Sequence, residues 1–287
     1  MEKKSTPKKI YGVLGYPARH SLSPLMHNRA FAALGIDAEY KIFEKKPQEL
    51  GDFLRSLSGE NIRGLNVTIP YKEAVLEYLK WKSPEVNFTG AANTLIVKDK
   101  DYIEGWNTDG IGFYRHLMLD LKFDPGGKKT VILGAGGAAK AVTDQLARQE
   151  VKTIVIYDVD KDKSSRLADK LSREFPKTRA IAADSIDSLD IGSASLLINA
   201  TPIGMKKGDS CLIGPEKLHP GLLVYDLIYN PAETELLKRA GQAGARASNG
   251  LGMLLYQGAR SFELWTGVKE APVGIMKQAL EEGVKNL

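Results

Sequence analysis

Residues 130–140, TVILGAGGAAK, restrict the fold more than any other stretch of this sequence. Residues 130–133 are β-formers without polar alternation, as in a strand that is buried on both faces of a parallel sheet. Glycines and alanines follow, and residues 138–149 are predicted to form a helix. Because the turn lacks large side chains, its backbone N–H groups can approach a diphosphate, whose charge the helix N-terminus attracts. The stretch therefore predicts a diphosphate-binding turn.

The residues around this turn match a dinucleotide-binding pattern. Gly134, Gly136 and Ala139 fit the spacing G-x-G-x-x-A, in which alanine replaces the third glycine. A second predicted strand, 153–157, leads into Asp158, and an acidic side chain there can bind the adenosine ribose hydroxyls. The glycines alone are equally compatible with a turn that only packs a helix on a strand. Strand, turn, helix, strand and acid in this order favour a Rossmann-type cofactor site.

The composition is that of a globular protein with room for two domains. At 287 residues the chain exceeds one average domain, and 43% hydrophobic residues are ample for a core. Because Cys211 is the single cysteine, the chain can form neither an intramolecular disulfide nor a cysteine-based zinc site. A chain without disulfides is typical of the reducing cytoplasm. No apolar run approaches the roughly 20 residues of a membrane span, and the N-terminus lacks the apolar core of a signal peptide. We therefore expect a cytoplasmic protein without a membrane partner and without a metal.

The net charge of +5 favours an anionic small molecule as the ligand. Lys3, Lys4, Lys8 and Lys9 crowd the N-terminus and are expected to form a solvated tail, whereas the other charges are interspersed. Nucleic-acid binding would require a concentrated basic stripe with interleaved aromatic residues. We therefore expect a small acidic substrate and no nucleic-acid partner.

The predicted elements of the first hundred residues alternate between strands and helices. They are strands at 10–15, 38–43 and 62–69, and helices at 23–34, 47–57 and 71–80. This rhythm predicts a mostly parallel sheet that is covered by helices. A hairpin of residues 94–98 and 102–106, joined by residues 99–101, is expected to close the sheet.

The fold class expected is α/β, with two α/β domains. Two apolar-faced helices, 251–265 and 273–284, follow the last predicted strand and are expected to pack back on the N-terminal domain. We therefore predict a substrate-binding and catalytic domain of residues 1–108 plus 250–287. Residues 109–249 are predicted to form a Rossmann-type dinucleotide-binding domain, with a cleft between the two domains.

Polar residues follow the predicted strands of the first domain, where ligands of open α/β sheets bind. Ser23 comes after the first strand and is the predicted N-cap of the next helix. Asn66 and Thr68 lie within the third strand, where polar groups must find partners. Lys72 follows, and its simplest interpretation is a solvated lysine in the first turn of a helix. For Asp109 the commoner explanation is a cap of the helix that begins at Gly110.

Eight stretches of the sequence resemble the shikimate dehydrogenase family, in that family's order and over nearly the whole chain. They are SLSP (21–24), NVTIPYK (66–72), GAANT (90–94), NTDGIGF (107–113), LGAGGAA (133–139), NATPIGM (199–205), YDLIYNPAET (225–234) and GLGMLLYQG (250–258). This resemblance implies the NAD(P)-dependent interconversion of 3-dehydroshikimate and shikimate.

The resemblance also implies roles for single residues. Lys72 would be the catalytic lysine and Asp109 its partner at the reacting oxygen. Ser21 and Ser23 would bind the substrate carboxylate, with Tyr229 nearby. The residues that would surround the ring hydroxyls are Asn66, Thr68, Asn93, Asp109 and Gln257. The cofactor residues would be Gly134, Ala135, Gly136, Gly137, Ala138, Asp158, Thr201, Leu227, Gly250 and Met253, with Met253 near the nicotinamide.

One stretch departs from the family pattern. NADP-using members usually carry Asn-Arg-Thr after the second cofactor strand, whereas this chain has Asp-Val-Asp at 158–160. An acidic side chain accepts a hydrogen bond from a free ribose hydroxyl and repels a 2′-phosphate. The cofactor is therefore NAD or NADP, with NAD favoured by the acid. Lys161, Lys163 and Arg166 lie close by in the sequence and could offset the repulsion.

Other functions remain open on the sequence alone. NAD use would favour a catabolic quinate or shikimate dehydrogenase, whereas Ser23, where quinate-preferring relatives tend to have threonine, favours shikimate. A non-catalytic dinucleotide or metabolite sensor could keep the fold, although Lys72 and Asp109 are retained. A methylenetetrahydrofolate-type or amino-acid dehydrogenase shares the two-domain plan but leaves SLSP and NVTIPYK unexplained. We expect a monomer or a homodimer.

Overall fold

A computed structural model describes residues 7–100, 102–206 and 208–285. Lys3 and Lys4 of the predicted tail and Asp101 of the predicted hairpin loop lie outside these ranges. The strands are β1 (Lys9–Gly15), β2 (Ala38–Glu44), β3 (Ile62–Val67), β4 (Trp81–Lys82), β5 (Thr94–Asp99), β6 (Tyr102–Trp106), β7 (Lys129–Leu133), β8 (Thr153–Tyr157), β9 (Arg179–Ala182), β10 (Leu196–Asn199), β11 (Leu223–Asp226) and β12 (Arg246–Ser248). The helices are α1 (Ser23–Ala33), α2 (Leu50–Ser56), α3 (Pro84–Thr89), α4 (Asp109–Leu119), α5 (Gly137–Arg148), α6 (Lys161–Glu174), α7 (Glu235–Gln242), α8 (Leu251–Thr266) and α9 (Val273–Val284).

The chain divides into two compact units. The first comprises Met1–Thr108 and Leu255–Leu287, and the second comprises Asp109–Leu254. The boundary near the C-terminal end falls within the first turn of α8, a few residues after the predicted boundary at residue 250. The assignment of substrate and cofactor to separate domains stays a prediction.

The first unit is built on a six-stranded mixed sheet. Its strand order is β2-β1-β3-β5-β6-β4, with β1 parallel to both β2 and β3. β5 and β6 form the predicted antiparallel hairpin, and β5 also pairs antiparallel with β3. Leu14, Leu65 and Leu95 from three neighbouring strands are completely buried in the core of this unit. The hairpin is confirmed, but it does not close the sheet, because β4 pairs with β6 and forms the edge.

The second unit has an all-parallel sheet. Its six strands run in the order β12-β11-β10-β7-β8-β9, which in chain order is the doubly wound arrangement of Rossmann folds. Central strands of such a sheet are covered on both faces and therefore need continuous apolar runs. β7 and β10 meet this requirement, since Val131, Ile132, Leu197 and Ile198 are completely buried. The predicted strand before the glycine turn is thus the centre of the sheet.

The predicted helix at 71–80 is wrong. A 3-10 helix covers only Ala74–Tyr78, and the chain then enters β4. The phenol of Tyr71 donates to the Lys45 carbonyl oxygen, and Lys80 N–H donates to the Ile103 carbonyl oxygen at 2.9 Å. Both ends of the segment are therefore held by the core and the sheet, and these distant contacts override the local helical pattern of the residues between them.

Smaller differences concern helix ends and short elements. Leu22, not Ser23, is the N-cap of α1, and this cap has no side-chain hydrogen bond. α3 was not predicted, although Ser83 caps it by accepting from Val86 N–H. α2 begins only after a 3-10 turn at Pro47–Glu49. Among the helices in the described ranges, none is both long and apolar enough to cross a membrane.

Candidate functional site

A buried network of amides and hydroxyls occupies the first unit. Asn66 of β3 lies opposite Thr94 of β5 in the antiparallel pairing. The Asn66 amide nitrogen donates to the Asn93 carbonyl oxygen at 3.3 Å, the Thr94 hydroxyl at 3.2 Å and the Ser261 hydroxyl at 3.0 Å. All four residues are buried. The register of β3 against β5 therefore brings two predicted substrate residues, Asn66 and Asn93, together.

Asn93 extends this network to α8. Its side-chain oxygen accepts from Thr108 N–H at 2.8 Å, and its nitrogen donates to Gln257 Oε1 at 3.4 Å. Ser261, one turn later on α8, donates from its hydroxyl to the Gln257 carbonyl oxygen at 3.0 Å. Amide side chains offer both donors and acceptors, and such groups suit the hydroxyls of a polyhydroxylated ring. Three of the predicted substrate residues thus form one connected polar surface.

Ser21 and Ser23 lie together where α1 begins. Ser23 N–H donates to Ser21 Oγ at 3.3 Å, so that two hydroxyl groups share one turn of chain. Ser21 is half-buried and Ser23 is buried. Ser23 is the first residue of α1, one position after the N-cap Leu22.

Thr68 and Lys72 belong to the turn after β3. Thr68 N–H donates to the Leu14 carbonyl oxygen at 2.9 Å, and its methyl group packs on Gly15, where a Cβ would lie 2.4 Å away. Lys72 is half-buried, and its carbonyl oxygen accepts from Ala92 N–H at 2.8 Å. Lys72 therefore lies in a turn that is tied to the segment before β5, and not in the first turn of an α-helix as predicted.

Asp109 and Tyr229 belong to the second unit. Asp109 is the first residue of α4 and is 8% exposed. The dipole of that helix favours a negative charge at its first turn. Tyr229 follows β11, and burial raises the pKa of its phenol, so that the hydroxyl keeps its proton at neutral pH.

The glycine turn of the second unit leaves room for a diphosphate. Gly134 has a φ of +98°, and a Cβ there would lie 3.0 Å from the Ala200 carbonyl oxygen, so glycine is required. A Cβ on Gly136 or Gly137 would meet nothing within 4 Å. Gly136 is the N-cap of α5, and this cap has no side-chain hydrogen bond. Open space in front of the helix N-terminus fits the diphosphate of a dinucleotide.

The Asp158 carboxylate lies against the same turn. Oδ2 accepts from Ala135 N–H at 2.7 Å, and Oδ1 accepts from Asp160 N–H at 2.9 Å. A carboxylate has about four lone-pair positions, so these two bonds leave acceptor capacity for ribose hydroxyls. The donor and acceptor chemistry of the turn therefore fits the adenosine end of a dinucleotide.

The remaining predicted cofactor residues follow β10, β11 and β12. The Thr201 hydroxyl donates to Asn199 Oδ1 at 2.7 Å, and Leu227 N–H donates to the Asn199 carbonyl oxygen at 2.9 Å. A Cβ on Gly250 would lie 2.0 Å from the Leu227 carbonyl oxygen, so these two backbones are in direct contact. Met253 is in the first turn of α8 and is buried. These residues share the carboxyl edge of the sheet with the glycine turn, where ligands of this fold bind.

Sequence reasoning missed a buried carboxylate beside this edge. Asp226 ends β11 and is completely buried. Its oxygens accept from Asn199 Nδ2 at 3.0 Å, Ile228 N–H at 3.1 Å and the Thr234 hydroxyl at 2.7 Å. Burial raises the pKa of Asp226, and the three hydrogen bonds oppose that effect. An acid at a strand end, followed by a threonine before a helix, was the available sequence signal.

Tyr40 of β2 was also missed. It is 2% exposed, and its phenol donates to Asn66 Oδ1 at 2.8 Å. Its position on an inward-facing site of β2 marks it as a core residue, but no sequence pattern marks its hydroxyl as part of a polar network. Within the described residues, no group of three or more histidine, cysteine, aspartate and glutamate side chains could hold a metal ion.

The second sheet and its glycine turn define a Rossmann-type nucleotide-binding unit, which is accompanied here by a second α/β unit with a polar network. Family models match three parts of the chain. Residues 13–95 match the shikimate dehydrogenase substrate binding domain, and residues 250–281 match the shikimate 5′-dehydrogenase C-terminal domain. Residues 130–246 match the TrkA-N domain.

Curated relatives cover almost the whole chain. The shikimate dehydrogenase (NADP(+)) of Methanopyrus kandleri is 44% identical over 280 residues, which is 96% of each chain. That of Moorella thermoacetica is 42% identical over 278 residues, 96% of this chain and 93% of the relative. The solved shikimate 5-dehydrogenase of Listeria monocytogenes, in complex with shikimate and NAD, is 38% identical with a TM-score of 0.88, covering 98% of this chain and 99% of that one. The chain belongs to the shikimate dehydrogenase family.

Proposed function

We propose that this chain catalyses the reversible, NAD(P)-dependent transfer of hydride between 3-dehydroshikimate and shikimate. The observation that carries this proposal is the connected network of Asn66, Asn93 and Gln257, whose amides can pair with several hydroxyls of one ring. The relatives of known name and the fit of the glycine turn to a dinucleotide support it. A cytoplasmic location is proposed with it, since the only cysteine is the free Cys211.

The substrate carboxylate is assigned to Ser21 and Ser23. Hydroxyls suit a small carboxylate because they donate hydrogen bonds without adding a charge. Tyr229, whose phenol stays protonated, is assigned to the same end of the substrate. The ring hydroxyls are assigned to the polar network together with Thr68 and Asp109.

The proton of the reacting oxygen is assigned to Lys72, with Asp109 as its partner. An ammonium donates a proton to an oxygen that gains negative charge, and a neutral amine accepts the proton of an alcohol in the reverse direction. A nearby carboxylate favours the charged form of a lysine, so Asp109 would keep Lys72 ready to donate. When bound, the nicotinamide supplies or accepts the hydride. The chain itself has to orient two ligands and move one proton.

The finer proposal is a preference for NAD. Asp158 points its carboxylate at the glycine turn, where it would repel a 2′-phosphate, and Val159, which occupies the position of the family's arginine, is 82% exposed and carries no charge. Each of the three nearby cations lies close to an aspartate carboxylate: Lys163 to Asp160 at 3.4 Å, Lys161 to Asp184 at 3.7 Å and Arg166 to Asp162 at 3.9 Å. Their positive charges are therefore partly neutralised. They compensate less for the repulsion between Asp158 and a 2′-phosphate than the sequence alone allowed. The two curated relatives are named for NADP(+), whereas the Listeria monocytogenes enzyme was solved with NAD, so this preference would separate the chain from the first two.

A two-by-two assay tests both proposals. Purified protein is given shikimate or quinate with NAD or NADP, and the absorbance of the reduced nicotinamide is followed. We expect higher kcat/KM with shikimate than with quinate, and at least a tenfold preference for NAD, which corresponds to about 1.4 kcal/mol. Faster turnover of quinate would reassign the substrate. Dinucleotide binding without turnover of either acid would favour the sensor alternative.

The role of Lys72 is tested in the same assay. Lys72→Met should lower kcat by about 100-fold or more, because general acid–base catalysis typically contributes that much. Lys80→Met is the matched control, since Lys80 is an exposed lysine that follows the same 3-10 turn. Equal activity of the two variants would refute the assignment of the proton to Lys72.

A further inference from the structure

Two consecutive residues of α1 fix Tyr40 in place. The Asn28 side chain accepts from Tyr40 N–H at 2.8 Å and donates to the Tyr40 carbonyl oxygen at 3.0 Å. The His27 ring stacks on the Tyr40 ring with centroids 4.5 Å apart and an interplanar angle of 8°. Backbone and ring are thus both held, and the phenolic oxygen is left at a defined point between α1 and β3.

The Tyr40 hydroxyl binds the predicted substrate residue Asn66. Its proton goes to Asn66 Oδ1, because an amide oxygen can only accept. The orientation of this amide follows from its other end, where the nitrogen faces the Asn93 carbonyl oxygen, which also only accepts. The Tyr40 phenol at the oxygen and the Asn93 carbonyl at the nitrogen therefore define one orientation of the Asn66 amide.

We propose that Tyr40 is a positioning residue of the substrate site, which fixes the orientation of the Asn66 amide. This inference rests on the proposed function, because it assigns a role at the same site. Tyr40 is assigned no contact with the substrate or the cofactor. It acts through Asn66, at the end of the site that is assigned to the ring hydroxyls.

The proton count gives the proposal a specific consequence. Both amide protons of Asn66 are used by Asn93, Thr94 and Ser261, so Asn66 can offer the substrate only the second lone pair of Oδ1. Asn66 therefore selects a ring substituent that donates, a hydroxyl and not a carbonyl, at the position it contacts. Without the Tyr40 phenol, the Asn66 oxygen loses the partner that keeps the amide in this orientation.

The test is the substitution Tyr40→Phe, which keeps the ring stack on His27 and the backbone bonds to Asn28. The KM for shikimate should rise about three- to tenfold, in line with the loss of one ordered hydrogen bond. The KM for the dinucleotide should change less than about twofold, because its residues lie in the second unit. A general loss of structure would change the KM for shikimate, the KM for the dinucleotide and kcat together. A change in the KM for shikimate alone therefore reports on positioning.

Tyr11→Phe is the matched control. Tyr11 is also 2% exposed in the same unit, and its ring stacks on Phe31 at 5.1 Å. The chemical change is identical, but the Tyr11 phenol lies near Arg63, whereas the Tyr40 phenol donates to Asn66. We expect this variant to keep the wild-type KM for shikimate. An equal KM increase in both variants would overturn the proposal, and so would an unchanged KM in Tyr40→Phe.

A double-mutant cycle with Asn66→Ala tests the coupling. If Tyr40 acts through Asn66, the double variant should raise the KM for shikimate by less than the product of the two single effects, and full additivity would contradict the proposal. The proposed function itself fails separately, because it requires the wild-type protein to oxidise shikimate. A wild type that is active on shikimate but insensitive to Tyr40→Phe refutes only the role of Tyr40.

Discussion

Replacing His27 should remove a source of acid sensitivity from the first unit. His27 lies on α1 and is completely buried. Its ring stacks on Tyr40 and is tilted against Trp265, with ring centroids 4.5 and 5.3 Å away. Within the described ranges, neither of its ring nitrogens has a hydrogen-bond partner. Burial lowers the pKa of His27 to about 3, because nothing nearby compensates a positive charge. The folded protein therefore holds this histidine neutral.

The sign and size of the effect follow from the two pKa values. An unfolded histidine titrates near 6.5, so between pH 6.5 and 3 the unfolded state binds a proton that the native state does not. The free energy of unfolding is unaffected by His27 above this window and falls as the pH drops through it. At pH 5 the difference is roughly 1.5 pKa units, which corresponds to about 2 kcal/mol.

The variants are His27→Phe, which keeps an aromatic stack, and His27→Leu, which removes it. All three tryptophans, Trp81, Trp106 and Trp265, belong to the first unit, so their fluorescence during urea unfolding reports on that unit. Between pH 7 and pH 5, the free energy of unfolding of the wild type should fall by about 2 kcal/mol more than that of either variant. Contributions from other titrating groups cancel in this comparison. Equal losses in wild type and both variants would refute the claim that His27 is neutral and unpartnered in the fold.

Two further predictions concern the second unit. The double substitution Asp158→Asn and Val159→Arg should shift the preference from NAD toward NADP by about tenfold or more, because it removes a negative charge and supplies a cation for the 2′-phosphate. If the ratio of kcat/KM with NAD to kcat/KM with NADP stays unchanged, Asp158 does not set the cofactor choice. Thr234→Val removes a hydrogen bond to the buried Asp226 and the cap that accepts from Leu237 N–H, and should lower the free energy of unfolding by about 2 to 3 kcal/mol. Thr234→Ser retains both bonds and should unfold near the wild-type urea midpoint; equal midpoints for the two variants would contradict the prediction.

The parts of the fold that the sequence revealed are those with strong local patterns. The run before Gly134 and the position of Asp158 predicted the centre of the parallel sheet, because a strand buried on both faces admits no polar alternation. The segment after Pro70 was misjudged because its local helical pattern competes with distant contacts. Tyr71 is anchored to the β2 side of the unit and Lys80 to β6, and neither contact is visible in the sequence.

In the candidate site too, the sequence revealed the residues that belong to a recognisable motif and missed those whose role depends on distant contacts. Family motifs named Asn66, Asn93 and Gln257, and the structure brings these three residues into one network. Tyr40 was invisible because a tyrosine at an inward-facing strand position is indistinguishable from ordinary core. Its role depends on where its oxygen points, and that direction is set by α1 and β3, which are adjacent only after folding.

The two hydrogen bonds between the Asn28 side chain and the Tyr40 backbone also affect self-association. β2 is an outer strand of its sheet, and an outer strand exposes backbone groups that can pair with a strand of another molecule. At Tyr40 these outward groups are already occupied by the Asn28 amide, which imitates a neighbouring strand for one residue. A second chain that extended the sheet along β2 would first have to break both bonds, so this edge is protected against fibre-like growth by a side chain of its own helix.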